Sequence, residues 1–241
     1  THGHDDHVWG NQVLVAGEKS TPIVAHAATT AYVTARIGQM ERFYQRGPEV
    51  VKASEDSLAA GVALDEATRE RLRARIARVR GNLEAHADLV VTPPTVPVTR
   101  DTTIAVGGTR ITLTTIGAAH SAGDLAVLIP SERLMMVGDL ASDTEVVGLD
   151  ERDGSLTNWI AALARLREDA RRLEIEHVVP GHGPVGTPAM LDATRGYLEA
   201  LRDSVRAGRR RGMTETEAAR LQFPAYERWR HYELNHPHNV Q

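Results

Sequence analysis

The 241-residue sequence contains no cysteine. Disulfide bridges and thiolate ligands are therefore excluded, and any metal site must be built from histidine, aspartate and glutamate. Because reducing and oxidising compartments both tolerate a protein without cysteine, this absence leaves the cytoplasm and the periplasm open.

Aromatic residues, long apolar runs and an excess of positive charge are also missing. Aromatics make up only 4% of the chain and hydrophobic residues 41%, so we expect a core built mainly from Ala, Val, Leu and Ile. No apolar run is long enough to span a bilayer and no signal peptide is recognisable, which predicts a soluble protein without a membrane partner. The net charge of −4 gives no reason to expect a nucleic-acid partner.

The start of the chain is instead rich in metal-binding side chains: within six positions stand His2, His4, Asp5, Asp6 and His7. On an extended segment, alternate residues such as His2, His4 and Asp6 point the same way, and a short turn would bring His7 round. We therefore predict that this segment supplies ligands to two metal ions. Imidazole and carboxylate suit zinc, but also iron or manganese. A purification tag is the alternative interpretation, although tags are usually uninterrupted histidine runs.

Three further candidate ligands each follow a predicted strand. His120 comes after a strand at 110–116, Asp139 after one at 133–137, and His182 after one at 176–179. Loops at strand ends commonly carry functional side chains. Each residue alone is more simply a structural or turn residue, but their occurrence together behind the first cluster indicates one metal centre.

The remaining pattern alternates helices and strands. A predicted hairpin turns at Gly107-Gly108 between strands 102–106 and 110–116, and shorter strands are predicted at 23–26 and 125–129. Thr29 or Thr30 is a plausible cap for a helix that Gly47-Pro48 would end. The other predicted helices are an Arg-rich one from Asp65 to about 87, one over 156–173, and three at about 188–207, 214–222 and 226–234.

Four segments together resemble the metallo-β-lactamase superfamily, which includes glyoxalase-II-like thioesterases, lactonases and the metallo-β-lactamases. The matching segments are His2-Gly3-His4-Asp5-Asp6-His7, Ala119-His120-Ser121-Ala122-Gly123-Asp124, Val137-Gly138-Asp139-Leu140 and Pro180-Gly181-His182-Gly183. The resemblance implies an α/β fold, the αββα sandwich of that superfamily. It also implies that His2, His4 and His120 bind a first metal and Asp6, His7 and His182 a second. Asp139 would bridge both metals, and Asp5 would not ligate.

The implied activity is hydrolysis by a dinuclear metal centre, with zinc as the expected metal and iron or manganese as alternatives. A metal-bridging hydroxide would attack a small ester, thioester, lactone or amide, with Asp6 and Asp139 as the catalytic carboxylates. Because Asp139 and His7 are retained, the chain resembles the broader hydrolases more than the antibiotic-resistance enzymes. The alternatives are β-lactam hydrolysis, iron-dependent redox chemistry on the same fold, and a non-catalytic module that does not assemble its ligands.

The same resemblance shapes the expected domain organisation. We expect a single domain over 1–241 that lacks the N-terminal strands of the superfamily, with a helical insertion at 29–91 and C-terminal helices at 188–241. The insertion would cover the mouth of the site and set specificity for a small-molecule substrate. A homodimer, or a second chain supplying the missing strands, would complete the sheet at its open edge.

Several residues near these motifs have softer interpretations. Asp124 either orients His120 through a hydrogen bond or is a turn residue. His26 is interpreted as a core histidine rather than one that supports a ligand, and Trp9 either walls the substrate pocket or packs in the core. His177 is expected to be structural, and the tail histidines are expected at the surface: His231, His236 and His238.

Overall fold

The computed structural model describes residues 1–16, 21–60, 64–149 and 154–240. The sequence Asp153-Gly154-Ser155 predicts a turn, of which Asp153 lies outside the described residues. The helices are α1 (Asp5–Val8), α2 (Asn11–Leu14), α3 (Ala27–Ala59), α4 (Glu66–Ala85), α5 (Leu156–Arg172), α6 (Ala189–Arg210), α7 (Glu215–Ala218) and α8 (Tyr232–Asn239). The strands are β1 (Val24–His26), β2 (Val96–Val98), β3 (Thr102–Val106), β4 (Thr109–Gly117), β5 (Asp124–Ile129), β6 (Leu134–Gly138) and β7 (His177–Pro180). Across the described part of the chain, each helix is too short or too polar to traverse a bilayer.

The chain divides into two compact units. Unit 1 comprises Thr1–His7, Pro22–Thr30 and Pro94–Gln241, and unit 2 comprises Val8–Thr21 and Ala31–Pro93. All seven predicted metal ligands therefore belong to unit 1. The predicted insertion at 29–91 falls largely within unit 2, and its role in specificity stays a prediction.

The main element of unit 1 is a five-stranded sheet in the order β3-β4-β5-β6-β7. The first four strands form an antiparallel meander, which begins with the predicted hairpin. Gly107 and Gly108 have φ values of +56° and +87°, the left-handed conformations that a tight two-residue hairpin turn requires. A separate pair, β1 and β2, runs parallel. Strand β2 was not predicted, because Pro97 at its centre argues against a strand.

Strands β6 and β7 are parallel neighbours, and α5 makes the crossover between them. Their carboxyl ends therefore meet at the same edge of the sheet. This is why the loop carrying Asp139 and the loop carrying His182 come together although the residues are distant in sequence. The Gly181 N–H donates to the Gly138 carbonyl at 2.9 Å and ties the two loops.

The core of unit 1 joins the sheet to α5 and α6. Apolar side chains of the sheet, such as Leu128 and Met135, belong to one buried cluster with Trp159 and Leu163 of α5 and Leu191 of α6. Trp159 is fully buried, and its indole N–H donates to the Leu140 carbonyl at 2.8 Å. The predicted α5 boundaries are confirmed, and the Ser155 side chain caps the helix by accepting from the Asn158 N–H.

The prediction that a helix ends at Gly47-Pro48 is wrong, since α3 continues to Ala59 with Pro48 inside it. A proline lacks only one helical hydrogen bond, and tertiary packing can compensate for that loss. In unit 2, a Cβ added at Gly47 would lie 3.0 Å from Leu83 of α4, so the backbone of α3 packs closely on α4 there. Val51, beyond the proline, is buried.

The prediction that Thr29 or Thr30 caps α3 is also wrong, because α3 begins at Ala27, before either threonine. The His26 ring serves instead, since its Nδ1 accepts from the Ala28 N–H at 3.2 Å. The Thr29 hydroxyl, buried inside the helix, donates to the Gly123 carbonyl at 2.7 Å.

The predicted cap of α4 is confirmed: the Asp65 carboxylate accepts from the Thr68 N–H. In the C-terminal part, α6 and α7 lie within the predicted ranges at most of their positions, but the last helix does not. It begins at Tyr232 rather than 226, because residues 224–229 form successive turns. One buried contact explains the difference: the Phe223 N–H donates to the Tyr232 hydroxyl at 2.6 Å and holds the turns against the helix start.

Candidate metal centre

The N-terminal candidate ligands were predicted to lie on an extended segment, but they lie around the start of a helical turn. Residues 1–4 are irregular, α1 begins at Asp5, and the His7 N–H donates to the His4 carbonyl at 3.0 Å. Asp5 and Asp6 occupy the first turn of α1, where negative side chains are favoured by the partial positive charge of the helix terminus. The turn brings Asp6 and His7 to one part of the centre, while His2 and His4 reach the other.

The first group of ligand atoms joins His2, His4, His120 and Asp139. His4 Nδ1 lies 3.1 Å from both His2 Nε2 and His120 Nε2. Asp139 Oδ2 lies 3.5 Å from His120 Nε2 and 3.8 Å from His2 Nε2. His2 and His120 are almost completely buried, with side-chain exposures of 1% and 5%, so this end of the centre is closed.

The second group joins Asp6, His7 and His182. His182 Nε2 lies 3.2 Å from His7 Nε2 and 3.1 Å from Asp6 Oδ2. The side chains of His182 and Asp6 are 46% and 60% exposed, so this group forms the open end of the centre.

Asp139 lies between the two groups. Its Oδ2 faces the first group and also lies 3.6 Å from His182 Nε2, while its Oδ1 lies 3.3 Å from His7 Nε2. Asp139 Oδ1 is buried and completes no hydrogen bond within the described part of the chain, although His7 Nε2 lies 3.3 Å away as an ion-pair partner. A buried carboxylate oxygen without a donor is costly unless a cation satisfies it.

Gly181 makes this arrangement possible. A Cβ at position 181 would lie only 1.9 Å from Asp139 Oδ1 and 2.8 Å from His7 Cε1. Any side chain there would displace the carboxylate that both groups share. Glycine at this position is therefore required by close approach to the centre.

The donor set fits two divalent metal ions. Tetrahedral ligands at a bond length of roughly 2.0–2.1 Å are about 3.3 Å apart. The closest contacts among the donors run from 3.1 Å to 3.8 Å, and the donor atoms of each group all lie within 4.8 Å of one another. In several of these contacts, ring nitrogens of different histidines converge on one point. A cation shared by these nitrogens is more favourable than an arrangement in which their lone pairs face one another.

The electrostatics also favour metal binding. Burial lowers the pKa of His2 to about 2 and that of His120 to about 4, so both rings are neutral and their lone pairs are available. Burial opposes the charge on Asp139, but the neighbouring His7, His120 and His2 outweigh it and hold its pKa well below its usual range. Burial lowers the pKa of His7, yet the carboxylates of Asp139 and Asp6 raise it overall.

Asp124 supports His120 through the backbone of its loop rather than through the ring. The Asp124 carboxylate accepts from the Ser121 N–H at 2.8 Å and from the Ser121 hydroxyl at 2.7 Å. Burial raises the pKa of Asp124 to about 6, although these bonds oppose the shift. The ring of Trp159 braces His120 from another side, with ring centroids 5.4 Å apart in an edge-to-face arrangement.

The group that orients the His120 ring was missed by sequence reasoning. His120 Nδ1 lies 3.1 Å from the Gly148 carbonyl oxygen, to which it donates while Nε2 faces the other ligands. Gly148 is in an irregular segment with no motif, so nothing in the local sequence could have indicated it. A backbone acceptor leaves no signature in side-chain types.

The remaining candidates lie away from the ligands or have structural roles. His26 caps α3, and Trp9 packs edge-on against His86 within unit 2, at a centroid distance of 4.6 Å. His231 and His238 are exposed, as predicted, but the prediction for His236 is wrong. His236 is 1% exposed because both ring nitrogens find partners inside unit 1, the Tyr197 hydroxyl and the Leu221 carbonyl.

Comparison with known families identifies the class. The sequence model of the metallo-beta-lactamase superfamily matches residues 1–182, which include all seven predicted ligands. The chain therefore belongs to the metallo-beta-lactamase superfamily. A comparison with curated proteins gives no match.

Solved structures agree on the fold. A metallo-beta-lactamase from Pontibacter korlensis is 22% identical with a TM-score of 0.51, and the match covers 83% of this chain and 66% of that one. A stereoselective inverting sec-alkylsulfatase from a Pseudomonas species is 15% identical with a TM-score of 0.52, over 63% of this chain and 26% of that one. The chain thus spans less than two thirds of the length of either structure. At these identities the likeness concerns the fold alone, and it confirms the predicted fold class.

Proposed function

We propose that the protein is a dinuclear metal-dependent hydrolase acting on a small ester, thioester, lactone or amide. Superfamily membership supports metal-dependent hydrolysis as the general class. The observation that carries the proposal is the Asp139 carboxylate, buried between two groups of donors with Oδ1 lacking a hydrogen-bond donor. Two divalent ions, zinc in our proposal, would supply a water of lowered pKa as the nucleophile and a Lewis acid for the substrate oxygen.

The chain's own residues divide the work between the two ends of the centre. His2, His4 and His120 form the closed end, where burial keeps His2 and His120 neutral. Asp6 and His182 form the open end, where substrate can approach from solvent. Asp139 lies between the two ends, since Oδ1 faces His7 while Oδ2 faces both the first group and His182.

Asp6 is the carboxylate best placed to handle a proton. It is exposed, and its Oδ2 lies 3.1 Å from His182 Nε2 and 3.4 Å from His7 Nε2, at the edge that substrate would reach. We assign to Asp6 a proton shuttle: its carboxylate would accept a proton from the attacking water and then donate it to the departing group, as general acid–base catalysis requires of a side chain within hydrogen-bond reach.

The test is elemental analysis of the purified chain, wild type and Asp139→Ala, followed by a panel of thioesters, lactones, esters and amides. We expect about two zinc ions per wild-type chain, a clear fall in the variant, and hydrolysis of at least one substrate class. The panel includes a β-lactam and a secondary sulfate ester, because the two structural neighbours bear the names of such enzymes.

Two results would overturn the proposal. Stoichiometric iron with no hydrolysis would move the protein to redox chemistry. A folded chain that binds no divalent metal would make it a non-catalytic module.

A further inference from the structure

The segment from Val146 to Leu149 is held by the C-terminal helix α8. The Asn239 side chain brackets Gly148: its Oδ1 accepts from the Leu149 N–H at 2.9 Å, and its Nδ2 donates to the Val147 carbonyl at 3.0 Å. Asn235, one turn earlier, donates from its Nδ2 to the Val146 carbonyl at 2.6 Å. Three backbone polar groups of the segment are thus taken by two asparagines of α8.

This bracket determines where the Gly148 carbonyl points. The Gly148 carbonyl and the Leu149 N–H belong to one planar trans peptide group, so they point in opposite directions. Because Asn239 Oδ1 accepts from that N–H, the Gly148 carbonyl is directed away from Asn239. His120 Nδ1 meets it there at 3.1 Å.

Asn239 is itself firmly placed. It is 9% exposed, and its Nδ2 also lies 3.1 Å from the Tyr197 hydroxyl of α6. The Tyr197 hydroxyl in turn donates to His236 Nδ1 at 3.0 Å, and His236 Nε2 donates to the Leu221 carbonyl at 2.8 Å. Each member of this buried network has its partner, so the network is rigid as well as satisfied.

We propose that Asn239 is a positioning residue for the metal centre: through the Gly148 carbonyl it selects the His120 tautomer that carries its proton on Nδ1 and presents a bare Nε2 to the first group. The purpose of this positioning rests on the proposed function, whereas the His120 tautomer itself can be measured without metal. Asn239 lies beyond residues 1–182, which the family model matches, so this device belongs to the C-terminal part of this chain.

The first experiment measures the tautomer of His120 by nitrogen-15 NMR of the imidazole rings in the metal-free protein. We expect the Nδ1–H form in the wild type and a mixture with the Nε2–H form in Asn239→Ala. Tyr232→Phe is the matched control, because it removes a hydrogen bond of α8 to the Phe223 N–H without touching the Val146–Leu149 segment. The control should keep the wild-type tautomer.

The second experiment measures zinc affinity by competition with a chromophoric chelator. We expect a loss of about 10–100-fold in the tighter binding step for Asn239→Ala, as for other losses of a group that orients a ligand, and wild-type affinity for Tyr232→Phe. If Asn239→Ala does not fold, Asn239→Asp serves in its place, since it keeps the acceptor for the Leu149 N–H and loses the donor to the Val147 carbonyl. A smaller shift in the same direction is then expected.

An unchanged His120 tautomer in a folded Asn239 variant would overturn this proposal. Equal losses of zinc affinity in Asn239→Ala and Tyr232→Phe would do the same, because they would reflect general loosening of α8. A wild-type chain with the expected tautomer and no zinc binding would instead overturn the proposed function and leave the assignment of the tautomer standing.

Discussion

At the scale of single residues, the centre depends on one position where no side chain fits. Gly181 does not have a positive φ, so its backbone conformation is one that other residues can adopt. Glycine is required at this position only because there is no space for a side chain. The space is filled by Asp139 Oδ1 and His7 Cε1. A methyl group there would act directly on the shared carboxylate.

We therefore expect Gly181→Ala to lower the metal content strongly while the chain still folds. The added Cβ must push Asp139 away, which removes the carboxylate that both groups use. Elemental analysis and thermal unfolding of the same samples check this. Gly81→Ala is the matched control, because a Cβ at Gly81 would meet nothing within 4 Å. Full metal content in Gly181→Ala would show that Asp139 does not need its present position.

His236 gives a pH prediction. Burial lowers its pKa, and the bond to the Leu221 carbonyl only partly opposes the shift. As the pH falls through about 6.5, the unfolded chain takes up a proton that the folded chain refuses. The free energy of unfolding should therefore fall with acidification from about pH 6.5 down to the lowered folded pKa.

Urea unfolding of wild type and His236→Asn between pH 8 and pH 5 measures this contribution. The variant should lose about 1–3 kcal/mol at pH 8, because it strands buried partners, and should show a shallower decline on acidification. His238→Asn, at an exposed position of the same helix, should behave as the wild type. Parallel declines in all three proteins would mean that other groups carry the pH dependence.

At the scale of elements, unit 2 shows packing overriding a local stop signal. Gly47-Pro48 would end an isolated helix, yet α3 runs through both residues. Glycine at 47 allows the close approach to Leu83. The apolar residues of α4 form a half-buried stripe, Leu72, Ile76, Val79 and Leu83, although no residue of α4 is fully buried.

A pair of matched substitutions tests this contact. Gly47→Leu should lower the free energy of unfolding by about 1–3 kcal/mol, because the new side chain overlaps Leu83. Gly81→Leu should raise it by up to about 1 kcal/mol, because it replaces a helical glycine where there is open space. Equal effects in chemical denaturation would show that helix propensity alone decides both positions.

At the scale of the whole molecule, the candidate ligands and the helical segment belong to different compact units. All seven ligands are in unit 1, whereas residues 49–87 are in unit 2. Metal binding and substrate choice should therefore be separable. This is the expectation that the sequence raised for the helical insertion.

Replacing residues 49–87 by a short Gly/Ser linker should keep the metal content and change the order of preference among substrates. Metal analysis and the substrate panel of the proposed function give the two readouts, and Asp139→Ala provides the metal-free reference. Loss of metal in the shortened chain would mean that unit 2 is part of the core, and the idea of a specificity insert would fail.

The proposed homodimer is a separate prediction at this scale. Light scattering after size exclusion should give about twice the chain mass of 26.3 kDa if two copies associate. A mass of one chain would contradict the homodimer.

The sequence by itself determined the candidate ligands and most of the elements that carry them. His120, Asp139 and His182 follow period-two or apolar strands, and glycine turns mark where those strands end, so local pattern alone placed them at loop starts. The resemblance added the division into two groups, which stays a prediction, and the fold class, which is confirmed. The strands were predictable because strand periodicity and turn residues are properties of short segments.

Only the tertiary structure decided the rest. Burial of His236, the course of α3 through Pro48 and the orphaned Oδ1 of Asp139 all depend on residues far apart in sequence. So does the Gly148 carbonyl that orients His120, since a backbone acceptor has no side-chain identity. Local patterns say which groups are present, but which groups meet is determined by packing, where the free energy of many distant contacts outweighs the preference of any one segment.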